Sequence, residues 1–150
     1  MMIDDDLAHQ YVLSIVDRAV TGNAYTGGVC FACGGQPTTG RGEHVIPGWL
    51  QKRSKLFNQR LTLLNGTFIP YRSLTVPCCE SCNNGFLREI ENRIKHSLIK
   101  YSPSELATRL SFARWLCKIL IGILVKETAL PADRRNPIIG NIITPDFVRV

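Results

Sequence analysis

The sequence is short of acidic residues and of histidines. Its 150 residues contain 12 aspartates and glutamates against 18 lysines and arginines, and only 3 histidines. The formal net charge is therefore +6, which is compatible with a polyanionic partner. Hydrophobic residues make up 45% and charged residues 20%, which excludes a disordered chain and is typical of one globular domain.

A secretory leader is also lacking, because Met-Met-Ile-Asp-Asp-Asp stands where a leader would be basic and then apolar. We therefore expect a cytoplasmic protein, in which the 6 cysteines indicate metal binding rather than disulfides. The longest apolar stretch, Leu110 to Val125, is interrupted by Arg114 and Lys118. A membrane span needs about 20 residues with few charges, so we expect a buried helix here and no membrane contact.

Periodicity predicts two flanking helices. Residues 1–22 predict an amphipathic N-terminal helix, and residues 102–130 predict a long apolar C-terminal helix whose first turn is a capping box. The second helix has so little polar surface that it would be buried in a core or in a homodimer interface. Residues 131–150 contain three prolines and no clear period, which indicates a tail or linker.

The segment between these helices, residues 28–100, predicts a small α+β core. Asn65-Gly66 separates two apolar runs and predicts a β-hairpin in which both turn residues take φ > 0. Leu74 to Val76 is a further short extended run, and a helical period begins at Asn84.

The cysteines carry the strongest pattern. Two Cys-x-x-Cys pairs can each form a tight knuckle, and two knuckles supply the four ligands of a tetrahedral ion. Glycines follow the first pair and asparagines the second, and both tolerate the φ > 0 that a knuckle requires. Cys78 could replace Cys79 as a ligand, but its spacing to Cys82 would be wider than that of a Cys-x-x-Cys pair, so we prefer Cys79. The predicted ligands of a structural zinc ion are Cys30, Cys33, Cys79 and Cys82.

A four-thiolate site has no open position for water, so any chemistry must lie elsewhere. The best candidates are Glu43 and His44, which lie between the two cysteine pairs, and Asn83, which follows the last cysteine. Neutral imidazole suits a general base near pH 7. A carboxylate and an amide oxygen suit a hard divalent ion such as Mg²⁺ or Mn²⁺. This set is suited to phosphodiester hydrolysis.

Together these motifs resemble the zinc-containing HNH endonucleases of the ββα-metal type, over about residues 30 to 98. The resemblance rests on the two cysteine pairs, on Glu43-His44-Val45-Ile46-Pro47 and on Asn83-Asn84-Gly85. It implies that His44 is the general base, that Glu43 and Asn83 hold the catalytic ion, and that an acidic-His strand, a second strand and a helix form the unit.

The sequence departs from that family pattern in three ways. Leu74 stands where the family often has an asparagine that orients the loop of the base. The segment between His44 and the second cysteine pair is long and contains the extra hairpin. The acidic ligand is Glu43 rather than the commoner aspartate.

Basic residues after His44 and on the closing helix are candidates for phosphate contacts, which neutralise charge without reading bases. We expect a DNA endonuclease, with RNA left open as the substrate. Two alternatives remain: a zinc-ribbon module that binds nucleic acid without catalysis, and a nuclease effector domain of a larger defence or mobile-element protein. The candidate contact residues are Lys52, Arg53, Lys55 and Arg88.

Overall fold

The structure is a computed structural model, and it describes residues 29–38, 42–97 and 106–143. The predicted N-terminal helix and the capping box at residues 102–105 lie outside the described residues. The described part combines helices with small antiparallel sheets, which confirms the α+β class.

Within the described residues, four short strands form two separate ladders. Strand β1 (Glu43–His44) pairs antiparallel with strand β4 (Thr75–Val76), so that His44 lies opposite Thr75. Strand β2 (Arg60–Thr62) pairs with strand β3 (Phe68–Pro70). The first ladder brings the segment with His44 to the chain that enters the second cysteine pair.

The hairpin predicted at Asn65-Gly66 is confirmed, but its turn is not the expected one. The backbone N–H of Gly66 donates to the carbonyl of Leu63 at 2.9 Å, and the N–H of Leu63 donates to Thr67 at 2.8 Å. Among the described turn residues only Gly66 has a positive φ, of 77°. The loop therefore has three residues and ends in a left-handed glycine, a common alternative to the two-residue turn.

Helices surround these ladders. Helix α1 is Gly48–Arg53. The helix after the second knuckle, named the closing helix, consists of α2 (Glu80–Cys82), a π segment (Asn83–Leu87) and α3 (Arg88–Ser97). Helix α4 is Leu106–Thr128. Short 3-10 turns lie at Tyr71–Ser73 and Pro137–Ile139.

The closing helix begins four residues earlier than the sequence predicted. Cys79 is its N-cap, because the Sγ of Cys79 accepts a hydrogen bond from the backbone N–H of Cys82 at 3.4 Å. The knuckle is thus the first turn of the helix. Asn83 has a φ of −64°, in the right-handed helical region. The expectation that the second knuckle needs a positive φ at this asparagine is therefore wrong.

Helix α4 differs from the expected apolar helix. It buries Trp115, Ile121 and Val125, but it also buries the charged Lys118 and exposes leucines such as Leu120, at 57%. A long helix that is apolar on all sides is therefore not shown, and a homodimer through it stays a prediction. Within the described residues, no helix combines the length and apolarity that crossing a bilayer requires.

The core joins the first ladder to α4. A Cβ added to Gly122 would lie 3.0 Å from both methyl groups of Val45, so the missing side chain lets α4 approach the residue after His44. Trp49 of α1 stacks against Trp115 of α4 with ring centroids 6.5 Å apart. These contacts fix the chain that follows His44 to one helix.

Candidate metal centre and catalytic site

The two cysteine pairs meet in one cluster, as predicted. The four Sγ atoms of Cys30, Cys33, Cys79 and Cys82 all lie within 4.8 Å of one another, and those of Cys33 and Cys79 are 3.6 Å apart. Zinc–thiolate bonds of about 2.3 Å give a tetrahedron with sulfur–sulfur edges of about 3.8 Å. The donor set therefore fits one tetrahedral metal ion such as zinc.

The backbone of each knuckle supports this cluster. Gly34 has a φ of 73°, and its N–H donates to the carbonyl of Cys30 at 2.8 Å, so the first knuckle uses a left-handed glycine as predicted. The N–H of Gly35 donates to the Sγ of Cys33 at 3.4 Å. Such N–H···S bonds place positive partial charge beside sulfur and favour the thiolate that a metal requires.

Cys78 lies next to the cluster but outside it. Its buried Sγ lies 3.9 Å from the Sγ of Cys30, and the two groups share a hydrogen bond. This bond lowers the pKa of Cys30 to about 4, although burial acts in the opposite direction. The same contact and burial raise the pKa of Cys78, so that it stays a thiol. Cys79 rather than Cys78 is therefore the fourth member of the cluster.

Burial and the neighbouring cysteines oppose the ionisation of further thiols when no cation is bound. Burial raises the pKa of Cys33. The pKa of Cys82 is also raised, first by burial and then by hydrogen bonds with the neighbouring thiols. A divalent ion would compensate this accumulated negative charge, which is why thiolate clusters of this kind bind metal and release protons as they do so.

His44 lies in the first ladder, half-buried. Its Nδ1 atom is buried and has no hydrogen-bond partner among the described residues. A buried ring nitrogen without a partner is rare, because its desolvation costs free energy that a hydrogen bond would offset. The structure therefore leaves this ring nitrogen of His44 buried and unpaired among the described residues.

Glu43 points toward α4 and the closing helix. Its carboxylate forms an ion pair with the Nζ of Lys118, and Lys118 also pairs with Glu91. The side chain of Lys118 is only 3% exposed. Burial raises the pKa of Glu91, and the negative charge of Glu43 raises it further, while Lys118 opposes both effects. Two carboxylates thus share one buried ammonium group.

Asn83, the third predicted member of the catalytic set, is half-buried at the start of the π segment. Its backbone N–H donates to the carbonyl of Cys79 at 3.0 Å. In the part of the chain that the structure describes, its side chain makes no hydrogen bond, and none joins it to Glu43. Joint binding of an ion by Glu43 and Asn83 therefore stays a prediction.

The predicted nucleic-acid contacts are all exposed. Lys52 and Arg53 end α1, and Lys55 follows with a φ of 55°. Arg88 lies on the closing helix, beside an open groove that Asn84, Asn92 and His96 also line. These positions allow contact with phosphates, and that role stays a prediction.

Sequence reasoning missed Glu91 and Lys118 as members of the site. Lys118 was noted only as a charge that interrupts an apolar stretch, and Glu91 was assigned no role. The available signal was a lysine inside an apolar helical run, because lysine is almost never fully buried unless it is paired. Its partners could not be read from the sequence, because they lie 75 and 27 residues away.

No family model, no curated protein and no solved structure matches this chain.

Proposed function

We propose that this protein is a metal-dependent endonuclease of the HNH type that hydrolyses phosphodiester bonds in DNA. The observation that supports the proposal best is the order β1, β4, closing helix around the cysteine cluster. His44 lies on the first of these strands, β4 leads into Cys79, and the helix begins at the knuckle. That order agrees with the strand, strand and helix that the resemblance to a ββα-metal unit implies.

In this proposal His44 removes a proton from the attacking water. Its Nδ1 bonds to no group among the described residues, so no hydrogen bond within that part of the protein already engages this nitrogen. Imidazole titrates near neutral pH and is suited to this transfer. The backbone around it is fixed, since the carbonyl of His44 accepts a hydrogen bond from Lys118 at 3.2 Å and Val45 is held by Leu74 at 3.0 Å.

Glu43 and Asn83 are the proposed ligands of Mg²⁺ or Mn²⁺, which when bound would supply positive charge to the phosphate and the leaving oxygen. Glu43 is already engaged, but Lys118 contacts only its Oε1 atom. A carboxylate offers about four lone-pair positions, so one ammonium partner does not prevent a second cation. The cysteine cluster takes no part in the chemistry and holds the two strands and the helix together as a zinc site.

A zinc-ribbon module that binds nucleic acid without cutting it is the second candidate. The observation that favours it is the ion pair between Glu43 and Lys118, which makes the acid a structural partner rather than a free ligand. An effector domain of a larger protein would have the same site chemistry.

The test is plasmid cleavage by zinc-loaded protein with Mg²⁺ or Mn²⁺. We expect the parent to convert supercoiled plasmid to nicked or linear forms and His44→Ala to lose this activity by about 100-fold or more, as removal of a general base does. His96→Ala is the matched control, because His96 lies exposed on α3. Equal nicking by the parent and His44→Ala would contradict the assignment of the base. No cleavage by the parent with either metal would favour the binding module.

A further inference from the structure

The chain between Glu43 and Glu80 contains no acidic residue at all. The same segment carries five of the lysines and arginines, so most of the positive net charge comes from it. It contains the hairpin that separates His44 from the second cysteine pair. The five basic residues are Lys52, Arg53, Lys55, Arg60 and Arg72.

Two of these arginines lie over exposed aromatic rings. The guanidinium carbon of Arg60 is 4.7 Å from the ring centroid of Phe68, and that of Arg72 is 5.6 Å from the ring centroid of Phe57. Phe68 is 54% exposed and Phe57 is 40% exposed. The residues Phe57, Arg60, Phe68 and Arg72 are named the arginine–phenylalanine surface.

Two residues of this surface, Arg60 and Phe68, lie on the outer side of a hairpin whose inner side packs on the core. Leu61 and Ile69 are directly paired and contact the core, whereas Arg60 and Phe68 belong to the opposite face because side chains alternate along strands. The ring of Phe68 therefore lies on the face of the hairpin that is turned away from the core.

The hairpin is also held rigidly. The buried carboxylate of Glu127 on α4 accepts hydrogen bonds from the N–H of Leu64 at 3.0 and 3.2 Å. The side-chain amide of Asn65 donates to the carbonyl of Pro131 at 2.9 Å. The loop is thus anchored at its tip, which holds the backbone of the hairpin that carries Arg60 and Phe68.

We propose that the arginine–phenylalanine surface binds single-stranded DNA, with bases stacked on the rings and phosphates on the arginines. The occupant follows from charge complementarity, because a cationic segment without acids fits a polyanion. Exposed aromatic rings add a second requirement, since they stack only on bases whose faces are open, and a duplex covers those faces. This inference rests on the proposed function, in which the bound strand is the one presented for hydrolysis.

The test is a fluorescence-anisotropy titration of zinc-loaded His44→Ala protein with a labelled oligo-dT strand, a DNA duplex of equal length and an oligo-U strand. We expect the oligo-dT strand to bind at least tenfold more tightly than the duplex. Phe57→Leu with Phe68→Leu should weaken oligo-dT binding by about tenfold or more. Phe112→Leu, which alters a ring of 39% exposure on α4, is the matched control and should change nothing.

Arg60→Gln with Arg72→Gln provides an independent measurement that leaves both rings in place. Loss of two phosphate contacts should reduce the slope of log Kd against log salt by about 1.4, at about 0.7 for each contact on a single strand. Equal affinity for strand and duplex, tighter binding of oligo-U, or an unchanged Kd in both double variants would overturn the inference. If the parent cuts no plasmid but its binding of oligo-dT depends on the two phenylalanines, the binding surface is supported and only the nuclease proposal is contradicted.

Discussion

Lys118 connects the C-terminal helix α4 to Glu43 on strand β1. Its ammonium group pairs with the carboxylate of Glu43 and donates to the carbonyl of His44 at 3.2 Å. The family resemblance covers about residues 30 to 98. Lys118, which holds the strand that carries the proposed base His44, lies outside that range. Leu74, which replaces the expected orienting asparagine, contributes only its backbone carbonyl to Val45. Lys118 therefore fixes the backbone of the strand that carries His44.

Replacement of Lys118 by methionine should destabilise the protein strongly. The substitution keeps most of the aliphatic stem but leaves Glu43 and Glu91 close together without their shared cation. Loss of one partner of a buried ion pair costs about 3–5 kcal/mol. Urea denaturation followed by circular dichroism measures the change in the free energy of unfolding.

Lys126→Met on the same helix is the matched control. Lys126 is half-buried and donates to the carbonyl of Thr75 at 3.3 Å. Its burial lowers its pKa, so removal of its charge carries little cost. A loss for Lys118→Met no greater than that for Lys126→Met would show that the three-residue ion cluster does not support the fold.

Glu91→Gln should change the dependence of stability on pH. The pKa of Glu91 in the folded protein is raised above its ordinary value of 4.5, chiefly by burial. Ionisation of Glu91 therefore opposes folding. The free energy of unfolding falls as the pH rises from 4.5 through the raised pKa of Glu91. The variant lacks this loss, so its stability relative to the parent should increase as the pH rises above 4.5.

Thermal unfolding at a series of pH values measures this difference. Glu89→Gln is the control, because Glu89 is exposed on the same helix and its pair with Arg93 is screened by solvent. A stability difference between Glu91→Gln and the parent that stays constant with pH would contradict the prediction.

The sequence determines the parts of the site that depend on local spacing. Two Cys-x-x-Cys pairs predict the cluster, because the knuckle geometry of Cys30 and Cys33 is encoded within a few residues. The hairpin follows in the same way from Asn65-Gly66. Its turn type did not follow, since Leu64 joins the loop and its N–H is bonded to Glu127, far away in the chain.

Contacts between elements that are distant in the chain could not be predicted from the sequence. A lysine in an apolar run indicates a buried partner, but any of several carboxylates could have been that partner. The sequence did not indicate that the carboxylate of Glu43 faces Lys118 and Glu91. The choice depends on how closely α4 approaches β1, and the packing of Gly122 on Val45 decides that distance.

Removal of the metal should unfold or greatly destabilise the domain. The cysteine cluster joins the first knuckle to the closing helix, and a structural zinc ion contributes its binding free energy to folding. We expect about one zinc ion per chain in the parent and nearly none in Cys33→Ser, with a lower Tm. Elemental analysis and thermal unfolding measure both.

The control for this variant is Cys117→Ser, since Cys117 is half-buried on α4 and outside the cluster. It should keep its zinc and most of its stability. Full zinc content and an unchanged Tm in Cys33→Ser would rule out a structural metal ion at this cluster.

Gly42→Ala should separate the two strands on which the proposed site is built. A Cβ at residue 42 would lie 2.4 Å from the carbonyl oxygen of Val76, a backbone atom that cannot move aside alone. Val76 is the ladder partner of Glu43, so β1 must shift away from β4. We expect a loss of about 1–3 kcal/mol or more in the free energy of unfolding measured by urea denaturation, and a loss of plasmid cleavage.

Gly48→Ala, where an added Cβ meets nothing within 4 Å, should retain both properties. If Gly42→Ala matched Gly48→Ala in both measurements, close pairing of β1 with β4 would not be what positions His44.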